Sequence, residues 1–160
     1  MTKIFASLKA DKTAKALSGW AALKSSINKD LDPSCKLGGV IVTNQSGFDF
    51  LDSQVDANGR PILQPNPANS TDKVFQDMPV KVFPDAQLPD ESGKHPVFYG
   101  RTADGCWFVE FMALLFASSA HAGFGKNQTH MRVIEGFDVI GADKDAYMYG
   151  LMSEPASAGS

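Results

Sequence analysis

The spacing of apolar residues changes character along this chain, and that change limits the folds open to it. In the first third the spacing is helical. Ala16, Trp20, Leu23 and Ile27 recur at steps of four, three and four, and Leu17 and Ala21 widen the stripe. Asp11 stands just upstream, where an acidic group favours a helix N-terminus. Gly19 inside the stripe costs about 1 kcal/mol against alanine, so packing has to sustain this helix. It is expected to end near Asp30, before Pro33. A second helical stripe, Phe48, Leu51 and Val55, follows Asn44, which stands where an N-cap belongs. It stops at Asp56-Ala57-Asn58-Gly59, because an Asn-Gly pair tolerates positive φ.

The remaining apolar runs are extended. Gly38–Thr43, GGVIVT, is a short β-branched run of the kind buried on both faces of a sheet. Val74–Phe83 is extended but contains Pro79, which cannot donate to a ladder and predicts an edge or a bend. A strand from Val97, a turn at Ala103-Asp104-Gly105 and a strand Cys106–Leu114 follow. That last strand is apolar on both faces except at Glu110, which predicts a central position. Ser118–Thr129 reads as turn-rich. Met131, Val133, Phe137 and Val139 then alternate with His130, Arg132, Gly136 and Asp138, the pattern of a half-exposed antiparallel strand whose apolar face Glu135 breaks. Ala146–Met152 is a closing strand. Gln64–Asp72 and Pro84–Pro96 are long polar loops. Helices first and strands later, without βαβ alternation, give an α+β class: a central mixed sheet flanked by helices.

Composition narrows function mainly by exclusion. At 160 residues, with 43% hydrophobic and 21% charged residues, the chain has material for a packed core without metal or disulfide. A net charge of −3 without a basic cluster argues against nucleic acid as a partner. The longest apolar run, near Phe111–Ala117, is too short to cross a bilayer, and the N-terminal residues carry no signal-peptide core, so synthesis in a cytoplasm is expected. Cys35 and Cys106 are expected as buried, reduced thiols. His95, His121 and His130 have no metal-ligand spacing. Asp52, Asp56 and Asn58 suggest a calcium loop with Gly59 at its invariant turn position, but Gln54 and Pro65 then fall where the first and the bidentate ligands are required. Phosphate-binding glycine loops and a GxSxG elbow are missing. No catalytic residue, metal or cofactor is therefore expected. A small α+β enzyme or ligand-binding domain stays open as an alternative if His95 or His121 meets carboxylates in a pocket.

Two stretches, taken together, resemble the major capsid proteins of tailed bacteriophages. In the back half these are Ala122-Gly123-Phe124, Arg132, Val133-Ile134-Glu135, Phe137-Asp138 and Ala146-Tyr147, within AGFGKNQTHMRVIEGFDVIGADKDAYMYGLM. In the front half the block Val40–Pro65, VIVTNQSGFDFLDSQVDANGRPILQP, is similar to that family's strand–Asn–helix–LxDxNGRxLxxP segment. Asp77-Met78-Pro79-Val80 also falls in register. Gly100-Arg101 departs from the Gly-Asp pair usual there. The resemblance spans roughly residues 12–152.

This resemblance implies the Johnson-type capsid fold, shared by encapsulin-like shells. It implies an axial domain over 12–130 after an N-terminal tail, 1–11. Strands over 131–152 would return toward a peripheral domain, and 153–160 would form a disordered tail. The family's arm, extended loop and spine helix would lie upstream, so the chain is expected to be a truncated piece, a proteolytic core or a prophage remnant. A structural shell subunit in a virion capsid is implied, with copies of itself as partners in hexamers and pentamers of a full-length parent, and with a scaffold or decoration protein as a further partner. Alone, the chain is expected to be a monomer or weak oligomer. Asp85, Asp90 and Glu91 on the second polar loop, with Arg132 and Glu135 on the alternating strand, are the candidate subunit-contact or positioning residues.

Overall fold

The computed structural model describes residues 2–67, 72–123 and 128–154, with 2, 119–123 and 128–130 given by their backbone alone. Its elements are α1 (Thr2–Ala10), β1 (Lys15–Ser18), α2 (Gly19–Lys29), α3 (Pro33–Lys36), β2 (Val40–Asn44), α4 (Gln45–Asp52), β3 (Gln64–Pro65), β4 (Lys73–Phe75), β5 (Met78–Phe83), β6 (His95–Gly100), α5 (Thr102–Gly105), β7 (Cys106–Gly123), β8 (Gln128–Gly141) and β9 (Tyr147–Ser153). Seven strands form one mixed sheet in the order β1-β9-β6-β2-β5-β4-β3, and β7 and β8 form a separate long hairpin. The expected α+β class with a mixed sheet and flanking helices is what folds.

Alternation along the strands divides the core between the two sheet faces. Ile41, Val97, Tyr99 and Met152 face α2 and α4, where they pack with Leu23, Ile27, Phe50 and Leu51. Val42, Phe98, Tyr147 and Tyr149 face the other way, onto Phe5 and Leu8 of α1 and onto Leu88. Phe98 stacks on Tyr149 with ring centroids 4.7 Å apart. On the first face the Ser26 hydroxyl lies 2.7 Å from the Tyr99 hydroxyl, so this deep tyrosine keeps a partner.

Several expectations are corrected. The residues read as a tail, 1–11, include the helix α1, because Ile4, Phe5 and Leu8 give it an apolar face to bury. The first helical stripe begins only at Gly19; Ala16 and Leu17 lie in β1, parallel to β9. Gly19 has φ +75°, a conformation that starts the helix after the strand and that residues with a side chain rarely adopt. Val74–Phe83 is a hairpin with a tight turn at Gln76-Asp77, both at positive φ. Pro79 sits in an interior strand but one residue before the β2 ladder begins at Val80, so its missing N–H costs that ladder nothing. The strand expected to be central, from Cys106, is in the hairpin and largely exposed, and it runs on to Gly123 where a turn-rich stretch was expected. β8 runs across 130/131, and the closing strand β9 lies in the main sheet between β1 and β6. Both cysteines are free and half-buried, and burial pushes the Cys106 thiol up.

Candidate functional site

The candidate residues separate into two groups. Asp85, Asp90 and Glu91 belong to the loop 84–94, and all three bond back to residues outside it. Asp85 accepts from the Ser46 amide at 3.2 Å and from its hydroxyl at 2.9 Å, at the first turn of α4. The Asn44 side chain caps that same helix, accepting from the Gly47 amide at 2.8 Å, and its Nδ2 donates to Asp90 at 2.6 Å. His95 Nδ1 lies 3.0 Å from the same Asp90 oxygen. Burial raises the Asp90 carboxyl, but the bonds from Asn44 and His95 outweigh it and leave it below the ordinary carboxylate value. Glu91 pairs with Lys9 of α1; that bond holds its carboxyl low against the effect of burial, with a smaller contribution from the Tyr149 hydroxyl. Leu88, fully buried, pins the middle of the loop into the core. The polar loop is thus clamped to α4, α1 and β6 by three carboxylates and one leucine. Sequence reading singled out these carboxylates as candidates but not Leu88 or the Asn44–Asp90 bond, because both depend on contacts made far along the chain.

Arg132 and Glu135 lie on β8, exposed, and neither has an ion-pair partner among the described residues. They belong to the hairpin, which is the most unusual surface of the molecule. Trp107, Phe108, Phe111, Phe116, Met131 and Val133 are each more than half exposed. Isolated two-stranded ribbons are marginal in water, and contiguous exposed apolar surface of this kind marks an interaction site. The hairpin base is secured: the Ala142 amide donates to the Gly105 carbonyl at 3.1 Å, the Asp143 amide to the Asp104 carbonyl at 3.1 Å, and Lys144 pairs with Asp11 beyond α1 at 3.5 Å. Between the base and α1 lies an apolar cavity of about 360 Å³, walled by Ile4, Phe5, Leu8, Phe98, Cys106, Phe108 and Val139 among others.

His95 does meet a carboxylate, but in a capping network and not in the wall of the apolar cavity. The side chains of His121 and His130 and the tip residues 124–127, where the Phe124 match falls, lie outside the described residues, as do 68–71 of the first polar loop. Among the described residues no three His, Cys, Asp or Glu side chains gather as a metal site would require, and no helix is long and apolar enough to cross a membrane. The segment 56–60 is a plain turn: Asp56 accepts from the amides of Asn58 at 2.8 Å and Arg60 at 2.9 Å.

Comparison with curated proteins finds no match. Among solved structures, the chain is similar to the capsid of a native GTA particle computed with C5 symmetry, with a TM-score of 0.62, 14% identity, and coverage of 91% of this chain and 50% of that one. The capsid of the empty GTA particle gives a TM-score of 0.59, 16% identity and the same coverage. A structure of Mycobacterium phage Che8 gives 0.53 and 11%, covering 93% of this chain and 57% of that one. The chain therefore spans about half the length of the structures it matches. The family model for the phage capsid family matches residues 3–150, nearly the whole chain, and the chain belongs to that family.

Proposed function

We propose that this chain is part of a structural subunit of a phage-type capsid, a protein whose work is to contact copies of itself in a closed shell around a genome. The observation that carries the reading is the hairpin β7–β8: a ribbon bonded at its base whose large apolar side chains are left more than half exposed among the described residues. Such a surface is covered, in this reading, by copies of the chain around fivefold and sixfold axes and by the rest of a longer subunit; membership of the phage capsid family supports it. In this reading the protein performs no catalysis, is made in a bacterial cytoplasm and resides in the virion capsid. The main sheet with α2 and α4 forms the axial unit, and the hairpin, whose strand β8 carries the first part of the segment 131–152, is the part that reaches toward a peripheral unit. Asp85, Asp90 and Glu91 act as positioning residues that fix loop 84–94, while Arg132 and Glu135 are contact residues on the ribbon. A scaffold or decoration protein remains a further partner of the assembled shell.

The test is expression of the tagged chain together with the genes that flank it in its source genome, followed by density-gradient recovery of particles. The chain is expected to sediment with shells visible by electron microscopy. Its recovery only as a free, soluble species, with shells forming without it, overturns the proposal.

A further inference from the structure

Asn58 and Gly59 lie in the tight turn between Val55 and Pro61, which pair as an antiparallel bridge. The Asp56 carboxylate holds this turn: one of its oxygens accepts from the amides of Asn58 and Arg60, the residues on either side of Gly59. The Gly59 amide itself donates to the Asp56 carbonyl at 3.0 Å. The side-chain amide of Asn58 is held by nothing. It belongs to an exposed residue and has no hydrogen-bond partner among the described residues. The space beside the next residue is also open, since a Cβ built on Gly59 would meet nothing within 4 Å. An electrophilic carboxamide, free to turn, thus stands next to a peptide nitrogen that no side chain shields. No other asparagine has this neighbour: Asn28, Asn44, Asn66, Asn69 and Asn127 precede Lys29, Gln45, Pro67, Ser70 and Gln128. Each of these carries a side chain that crowds its nitrogen, and proline has no N–H at all.

We propose that Asn58 is a site of spontaneous deamidation in the folded chain and that Asp56 sets its pace. The reaction is internal. The Gly59 nitrogen gives up its proton and attacks the Asn58 Cγ. A C–N bond forms, the side-chain nitrogen leaves as ammonia with that proton, and a succinimide ring remains. Water then opens the ring. Cleavage at Cγ gives aspartate, and cleavage at the main-chain carbonyl gives isoaspartate, which adds a methylene to the backbone. Both reacting groups belong to adjacent residues, so the step needs no partner and no open face elsewhere on the molecule, and it is independent of the capsid reading. Asp56 opposes it in two ways. Its carbonyl occupies the Gly59 N–H that has to ionise. Its carboxylate, bonded to both flanking amides, repels the negative charge that grows on the nitrogen between them. The isoaspartyl product undoes the clamp, because the longer backbone carries the Arg60 amide away from the oxygen that also holds residue 58. The same turn seats the buried Leu63 and Ile62, whose amide donates to the Gln54 carbonyl at 3.2 Å. A covalent change at an exposed tip is thereby passed to the core.

The experiment is incubation of the folded 160-residue chain in mildly alkaline buffer. Peptide mass spectrometry locates each gain of about 1 Da, and labelling with an isoaspartyl methyltransferase counts the isoaspartate. The variants are Asn58→Gln, which disfavours the ring, and Asp56→Ser, which keeps a weaker turn acceptor without the charge. The unaltered chain in urea gives the unfolded rate, and circular dichroism confirms that the other samples are folded. The gain is expected at Asn58, more slowly than in urea, and is expected to vanish in Asn58→Gln. Its rate is expected to rise at least about threefold in Asp56→Ser, and to rise with added salt in the unaltered chain, where the carboxylate is screened. Hydrogen exchange at the Arg60 and Ile62 amides should be faster in the converted chain. A folded chain that keeps Asn58 while the urea sample converts overturns the proposal, as does conversion centred on another asparagine. So does a rate that neither Asp56→Ser nor salt changes; should Asp56→Ser lose its fold, the salt response decides. Unaltered exchange at Arg60 and Ile62 after conversion overturns the link to the core.

Discussion

At the scale of single residues, the Asn44 side chain ties β2, α4 and the loop 84–94 together. It ends β2, caps α4 through its oxygen and holds Asp90 through its nitrogen, with no exposed surface of its own. Asn44→Ala removes the cap and leaves the loop carboxylate without its donor. Urea denaturation is expected to show a loss of about 2–3 kcal/mol, a cap together with a buried hydrogen bond. Asn44→Asp keeps a capping oxygen but sets a carboxylate against Asp90, so its deficit should shrink as pH falls through the carboxylate range; a deficit independent of pH refutes the assignment. Half of this role was legible in the sequence. A strand followed by Asn and a helical stripe announces a cap from local chemistry, whereas Asp90 lies 46 residues away and nothing local points to it. Gly19 misled for a related reason. The helical stripe runs through it without a break in spacing, and only its positive φ separates the last strand residue from the first helical turn.

At the scale of elements, the loop 84–94 and the hairpin show opposite ways in which pattern reading fails. The loop read as polar, with candidate contact residues on it, yet it carries its own anchors. Those anchors have a pH signature. The Asp90 and Glu91 carboxyls lie below their ordinary values in the fold. Groups with depressed folded values contribute stability that is present above the unfolded pKa and lost as pH falls through the folded one. Hydrogen exchange at the amides of Gln87 and Leu88, which donate to the Pro84 carbonyl, is therefore expected to accelerate below about pH 4. Amides of β2 and β6 should remain protected there. Uniform acceleration across the sheet would mean that the loop carries no clamp of its own. The hairpin failed in the other direction. A strand apolar on both faces is the mark of burial, and the sequence does report burial, but not whether the covering surface belongs to the same chain. Cys106–Leu114 reads as the middle of a sheet and stands in the open.

At the scale of the whole molecule, the sheet is a core only because it is covered on both sides, and the second cover is easily overlooked. α2 and α4 were legible from their stripes. α1 was not: nine residues with three apolar positions are too short to be marked as helix by propensity, and they fold because the sheet presents Phe98, Tyr147 and Tyr149 to them. The Phe5 ring meets Phe83 edge-on at 5.0 Å and Phe98 at 5.9 Å, and the Tyr147 hydroxyl donates to the Leu8 carbonyl at 2.9 Å. A tail would tolerate Phe5→Ala. A cover would not, since the substitution removes a buried ring beside a cavity that already lies between α1 and the hairpin base. Chemical denaturation is expected to show a loss of about 3–4 kcal/mol for Phe5→Ala, a large share of the 5–15 kcal/mol or so that a domain of this size commands. Phe5→Leu should recover most of it, because the volume is largely restored. If Phe5→Ala unfolds with the midpoint of the unaltered chain, α1 is an appendage, and the Phe98 face of the sheet needs cover from elsewhere.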